Sequence, residues 1–188
     1  TSIISKKNSS ELKERKLAES LAHSEQLLLA FARQTGSQLR VLRPTLIYGA
    51  GRDQSISRLL KFAERFRFII LPNNAKGLRQ PVHVRDVADA VISAMRSENT
   101  PMEIFNLPGA EIISFNDMLL RSLQMHVPKA RAFQIPKFLF EALIRIMALV
   151  GMGSGLGAGF FARLSEDWVF DAGPAKQWLG YCPRPFSP

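Results

Sequence analysis

The chain has 188 residues, 46% of them hydrophobic, which suffices for a buried core in one domain and excludes a low-complexity tail. Its single cysteine, Cys182, excludes an intramolecular disulfide and, with no leader-like segment in view, leads us to expect a reducing, cytoplasmic setting. A formal charge of +9 and a pI near 10.2 direct attention to anionic partners: nucleic acid, an acidic membrane surface or a phosphate-bearing ligand. The plainer reading is that the basic side chains are simply solvated.

Thr1 to Ser10 reads as polar and irregular, opening without an initiator Met as a fragment would. Ser10 is expected to cap a helix from Glu11 to about Gln34, closed by Gly36, with Leu17, Leu21, Leu28 and Phe31 on its buried face. Leu39 to Tyr48 reads as a strand buried on both faces, as in a parallel sheet, breaking at Gly49-Ala50-Gly51. Glycines at a strand's carboxyl end allow close backbone approach, and open α/β sheets bind ligands there. A helix is expected over Asp53 to Arg65, with Leu59, Leu60 and Phe62 inward, then a short strand from Phe66 to Leu71 stopped by Pro72.

Pro81 to Val84 reads as extended, and Asp86 as the cap of a helix over Val87 to Met95 with Val87, Val91 and Met95 inward. Glu103 to Leu107 reads as a strand. Ser114 should cap the next helix, with Asp117 at its third position and an Ile113–Met118 staple. Pro136 to Val150 reads as an apolar helix, and Asp171 to Leu179 as a helix capped by Asp171 and stopped by Gly180. The tail from Tyr181 can only be extended. Helix and strand alternate, which predicts an α/β fold with too few strands for a complete doubly wound domain.

Ile146 to Ala162 is an uncharged run at the lower limit for a membrane span, but five glycines lie within it, so no span is expected and membrane contact would be at the surface. The glycines at 151, 153, 155, 157 and 159 follow a helix and never give the G-x-G-x-x-G spacing, so they are not a dinucleotide loop. His23 and His126 have no partner spacing that suggests a metal, and none is expected. No aromatic-interleaved basic stripe supports nucleic-acid binding.

Three ordered stretches carry a resemblance. Arg43-Pro44-x-x-Ile47-Tyr48-Gly49-x-Gly51-x-Asp53, then Arg79 through His83-Val84-x-Asp86-x-Ala88-x-Ala90, then Asp167 to Asp171 continuing through Leu179-Gly180-Tyr181 to Phe186, are together similar to the extended short-chain dehydrogenase/reductase family. The branch they most resemble is the NAD-dependent epimerase/dehydratases of nucleotide sugars. The resemblance implies the C-terminal part of a Rossmann-like doubly wound parallel sheet plus a small α/β substrate-binding subdomain. Residues 1–53 would be the last part of the core, and residues 54–188 the substrate-binding subdomain interleaved with the final core elements. The half carrying the glycine fingerprint would be absent, so NAD or NADP would be bound mainly by residues outside this chain.

The resemblance also implies a site. Members use Tyr-x-x-x-Lys on one helix, where four-residue spacing puts both on one face and the Lys lowers the phenol pKa for acid/base work. Glu25 resembles the Glu that follows the Lys by four residues, so the Lys and Tyr positions fall on Leu21 and Leu17, neither of which can move a proton. Thr1 matches the hydroxyl that orients the substrate. Thr45, Leu46 and Ile47 would approach the nicotinamide, with Leu46 where an Asn often sits. Arg79 matches the arginine placed against the nucleotide diphosphate, and Arg163 is a second candidate. His83 is expected to pack beneath the sheet edge and Arg43 to be structural. Two functions are expected: an NAD(P)-dependent nucleotide-sugar epimerase, dehydratase or reductase, either active or catalytically degenerate, or a non-catalytic dinucleotide-binding or assembly protein similar to the accessory subunit of respiratory complex I. A homodimer would suit either.

Overall fold

The computed structural model of the chain describes residues 2–7, 9, 12–49, 56–73, 75–97, 100, 103–149 and 164–188. In chain order the elements are α1 (Ser2–Lys6), α2 (Leu12–Thr35), β1 (Val41–Pro44), β2 (Ile47–Tyr48), α3 (Ile56–Phe66), β3 (Phe68–Pro72), β4 (Leu78–Arg79) and β5 (Val82–His83). There follow α4 (Val84–Arg96), β6 (Ile104–Leu107), β7 (Ile113–Ser114), α5 (Phe115–His126), β8 (Arg131–Ile135), α6 (Lys137–Leu149) and α7 (Gly173–Leu179). This is an α/β fold with parallel strand pairs. It divides into two compact units: Thr1–Ile47, Gln80–Glu111 and Val169–Phe186 form the first, and Tyr48–Arg79, Ile112–Trp168 and Ser187–Pro188 the second.

In the first unit β1 pairs in parallel with β6, Val41 opposite Ile104 and Pro44 opposite Leu107. Pro44 has no N–H to give, and the ladder resumes with the Thr45 N–H on the Leu107 carbonyl at 3.3 Å. Val82, Phe105 and Leu107 form the core with Ala90 and Ala94 of α4, with Leu179 at the end of α7 and with Tyr181 just after it. Alanines at these helical positions let backbone and strand approach closely, so the core is made of β6 side chains covered by small-residue helix faces.

Helix α2 departs from the expected burial. Its buried residues are Ala18, Leu29 and Ala32, whereas Leu17, Leu21, Leu28 and Phe31 are 44%, 39%, 55% and 62% exposed. The periodicity located a true apolar stripe, but the described residues cover the neighbouring stripe of smaller side chains instead. Gly36 ends the helix at φ 69°, with the Ser37 N–H on the Ala32 carbonyl.

Helix α4 begins earlier than expected. His83 is its N-cap, its Nδ1 accepting the Arg85 N–H at 3.2 Å, which frees Asp86 for another partner inside the first turn. Asp86, Ala90 and Ala94 face inward, and Val91 and Met95 point out. Ala172 is the N-cap of α7, with Asp171 Oδ1 accepting the Gly173 N–H just before it, and Gly180 closes the helix at φ 61°.

In the second unit β3 and β8 run parallel, Phe68 opposite Arg131 and Pro72 opposite Ile135, while β4 and β7 are antiparallel. Ile69 and Leu71 are buried, as are Met118, Leu119 and Leu123 of α5. Ser114 caps α5 as expected, accepting the Asp117 N–H and donating to Asp117 Oδ2 at 2.6 Å, with Ile113 and Met118 both buried. Phe66 belongs to α3 and not to the strand after it, because Arg67 takes the left-handed conformation (φ 62°) that ends the helix. Leu59, Leu60 and Phe62 are half-buried and the buried residues of α3 are Ile56 and Ala63. Strand β8 and helix α1 have no counterpart in the expected elements, since neither has a two-residue or helical apolar rhythm. Ser10 and the glycines from 151 to 159 lie outside the described residues. Among the described residues no helix is long and apolar enough to cross a membrane.

Candidate functional site

The sequence directs the search to the exit of β1, inside the first unit. Arg43 on β1 and Glu25 on α2 form a fork-to-fork pair, Nε to Oε2 at 3.1 Å and Nη2 to Oε1 shorter, with side chains 19% and 11% exposed. Two parallel charge-assisted bonds leave little freedom for rotation or sliding, so the pair fixes how α2 lies along β1. Leu21 and Leu17 stand one and two turns before Glu25, both more than a third exposed. Both positions present hydrocarbon side chains, which cannot carry a proton.

Beyond β1 the strand exit is tied by backbone bonds. Thr45 Oγ1 donates to the Gln80 carbonyl, and the Val82 N–H donates to the Leu46 carbonyl at 2.9 Å. Ile47 is 39% exposed. Gln80, itself buried, turns its Oε1 to the Phe170 N–H at 2.7 Å and so links this exit to the segment ahead of α7. The close approach also explains Gly109: a Cβ there would overlap the Pro81 carbonyl, while the Gly109 N–H donates to the Gln80 carbonyl at 3.1 Å.

Also in the first unit is a polar cluster that sequence reasoning missed. The Asp86 carboxylate, 5% exposed, accepts the Arg184 N–H at 3.0 Å on Oδ2 and Arg184 Nε at 2.7 Å on Oδ1. Tyr181 donates its hydroxyl to the Pro108 carbonyl at 2.8 Å, and burial, then the Asp86 charge, push that phenol well above its usual range. A cavity of about 230 Å³ opens beside them, lined in part by Asp86, Asp89, Ser93, Tyr181 and the exposed thiol of Cys182. The signal was present in the sequence, since Asp86 and Arg184 sit in separate matching stretches, but nothing local says that they meet.

Arg79 lies in the second unit, 4% exposed at the end of β4. Its guanidinium stacks 4.2 Å from the Trp168 ring centroid, and Nη1 donates to the carbonyls of Leu78 at 2.8 Å and Glu166 at 2.5 Å. The same segment is bound along its length: the Leu78 N–H donates to Asp167 Oδ1, the Trp168 N–H to the Leu78 carbonyl, and the Gly77 N–H to the Leu164 carbonyl. Arg79 therefore holds residues 164–168 against β4. Thr1 and Arg163 lie outside the described residues. Among the described residues no group of His, Cys, Asp and Glu could hold a metal.

Residues 15–107, from within α2 through β6, match the model of the NAD dependent epimerase/dehydratase family. Just under half of the chain thus resembles this family. Solved structures of nucleotide-sugar epimerases share its fold. A UDP-glucuronic acid 4-epimerase from Bacillus cereus, in complex with NAD, superimposes with a TM-score of 0.64 at 16% identity, covering 90% of this chain and 47% of that one. A UDP-glucose 4-epimerase from Thermotoga maritima, with UDP-glucose, gives 0.63 at 19% identity over 89% and 48%. Among curated proteins, the chain is 25% identical over 149 residues to the uncharacterized protein y4nG of Sinorhizobium fredii, covering 79% of this chain and 37% of that protein. It is 26% identical over 115 residues to the mitochondrial NADH dehydrogenase [ubiquinone] 1 alpha subcomplex subunit 9 of Dictyostelium discoideum, covering 57% and 31%. The chain thus spans about half the length of these solved structures and about a third of these curated relatives.

Proposed function

We propose that the chain is part of an NAD(P)-binding, nucleotide-sugar epimerase/dehydratase-like protein in which the acid–base pair has been replaced, so that it keeps the ligand frame and loses the chemistry. One observation supports this reading: the Glu25–Arg43 pair fixes α2 on β1, and counting back from Glu25, taken as the family's glutamate, assigns its Lys and Tyr positions to Leu21 and Leu17. Solved structures of the same fold hold NAD and UDP-sugars, which supports the ligand class. In this reading the dinucleotide is bound mainly by residues outside this chain, with Thr45, Leu46 and Ile47 near its nicotinamide end, and Arg79 supplies positive charge on the diphosphate side. Arg163 would be a second phosphate contact, and Thr1 the substrate-orienting hydroxyl.

The test is titration of the full-length protein with NADH, NADPH and UDP-, GDP- and dTDP-sugars, alongside turnover assays. Binding of a dinucleotide and a nucleotide sugar without turnover is the expected result. Turnover at ordinary enzyme rates, above about 1 per second, sinks the degenerate-site reading. Binding of a dinucleotide and of no nucleotide sugar sinks the ligand class. It would favour the second reading, a non-catalytic assembly protein, which the likeness to a respiratory-complex subunit supports.

A further inference from the structure

The second unit carries a surface with no part in the function proposed above. Partner residues across a parallel ladder project from the same face, so Phe68 and Arg131 share a face of the β3–β8 pair with Ile70 and Phe133. On that face Phe68 is 36% and Phe133 50% exposed. Phe62 and Phe66 of α3 gather on Phe68 at centroid distances of 6.0 and 6.4 Å, and lie 4.6 Å from each other. Helix α6, which packs on β3, buries Phe140 and exposes Phe138 by 68%, Leu139 by 48% and Ile146 by 60%.

The charge around these side chains is predominantly positive. Helix α3 and the turn after it expose Arg58, Lys61, Arg65 and Arg67, and the guanidinium of Arg65 stands 5.6 Å from the Phe66 ring centroid. Lys129, Arg131, Lys137 and Arg145 are exposed around β8 and α6. The acidic residues among these described elements are Glu64 and Glu141, and Glu141 is paired with Lys137 at 3.6 Å. Large exposed apolar surface is rare on soluble chains and marks a contact site.

We propose that this face binds the surface of an anionic lipid bilayer, with the aromatic and aliphatic side chains at the headgroup boundary and the cations against lipid phosphates and carboxylates. A second copy of the chain would set two predominantly positive faces against each other, which repels. Nucleic acid would use the cations and the rings, but Leu139 and Ile146 have no partner in a stack of bases and do have one in hydrocarbon. Long basic side chains suit the same boundary, keeping their stems in the apolar layer and their charges in water.

The experiment is flotation of the full-length protein with vesicles of phosphatidylcholine, with and without about one third phosphatidylserine. Binding should be at least about tenfold tighter to the anionic vesicles and should weaken as salt rises. The Phe133→Ser/Phe138→Ser variant should bind about tenfold more weakly, and Arg131→Gln and Arg145→Gln about fivefold more weakly each. Because these side chains are largely exposed, the variants should melt as the parent does. As an independent reading, the Phe138→Trp variant should shift its emission to the blue and be quenched by brominated acyl chains. Equal binding to neutral vesicles, no binding to either, an unaffected Phe133→Ser/Phe138→Ser variant, or an unquenched tryptophan each overturns the proposal. So does a concentration-dependent dimer that protects these residues from exchange.

Discussion

In the first unit residues 181–186 are tied down by directional bonds, Tyr181 to Pro108, Arg184 to Asp86 and the Phe186 N–H to Glu111 Oε2, whereas in the second unit aromatic side chains stand in solvent around a two-stranded pair. The difference teaches where specificity resides in this chain. The tail segment is placed by a few directional polar bonds, and removing the Tyr181 hydroxyl leaves the buried Pro108 carbonyl without that donor. The exposed face of the second unit is held from behind by Ile69 and Leu71, and its outward side chains contribute little to folding.

That contrast can be broken by substitution. The largest effects are expected at the two close approaches, one in each unit: Gly109→Ala drives a Cβ into the Pro81 carbonyl and Gly77→Ala into the Glu166 carbonyl, so each should cost roughly 4 kcal/mol or more. Hydrogen exchange should report the loss of Gly109 in the Val82 and Leu107 amides, and the loss of Gly77 in those of β4. Next, Asp86→Ala removes both contacts to Arg184. Because Arg184 is nearly half exposed and can rehydrate, about 2 kcal/mol is expected in denaturant unfolding, less than for a fully buried pair.

Tyr181→Phe should cost about 1 kcal/mol, since the buried Pro108 carbonyl loses its donor. It also carries a pH signature. The folded chain holds the phenol proton more tightly than the unfolded chain, whose tyrosine titrates near 10.0. This contribution to stability is complete below pH about 10 and is lost as pH rises from there toward the raised folded value. Melting temperatures should fall more steeply above pH about 10 in the parent than in Tyr181→Phe. The smallest effect is expected at Leu17→Ser and Leu21→Ser in this chain, within about 0.5 kcal/mol by thermal melting, since both side chains are already exposed. A loss above about 2 kcal/mol would show that these leucines have a packing partner within the chain.

Much of the fold was legible in the sequence because its signals are local. Gly36 and Gly180 end helices in the left-handed conformation, and Ser114 caps α5 with Asp117 answering from three residues on. What the sequence hid is contact between distant residues. Asp86 has the right chemistry for a cap and stands near a helix start, yet His83 takes that role and Asp86 turns to a guanidinium 98 residues away. Strand β8 was invisible because Arg131, Phe133 and Gln134 are all exposed, so no burial rhythm marks it. The stretches around Arg79 and the β1 exit drew attention to these residues through their resemblance alone. That Arg79 is stacked on Trp168 and bonded to the Glu166 carbonyl was hidden, because those partners come from 87 and more residues further on. The exposed side of α2 shows the same limit: periodicity finds an apolar stripe but does not say what covers it.

The interleaving of the units bears on how the protein is made. The core around Phe105 and Leu107 is finished by Leu179 and Tyr181, so during synthesis the first unit waits for residues that follow all of the second unit but its last two. Domains emerging from the ribosome usually fold as they are completed. Here the second unit can complete its described elements while β6 still presents an open apolar face. Nascent chains halted before α7 should therefore be caught by chaperones or cleaved within α4 and β6, and release past Phe186 should close that window.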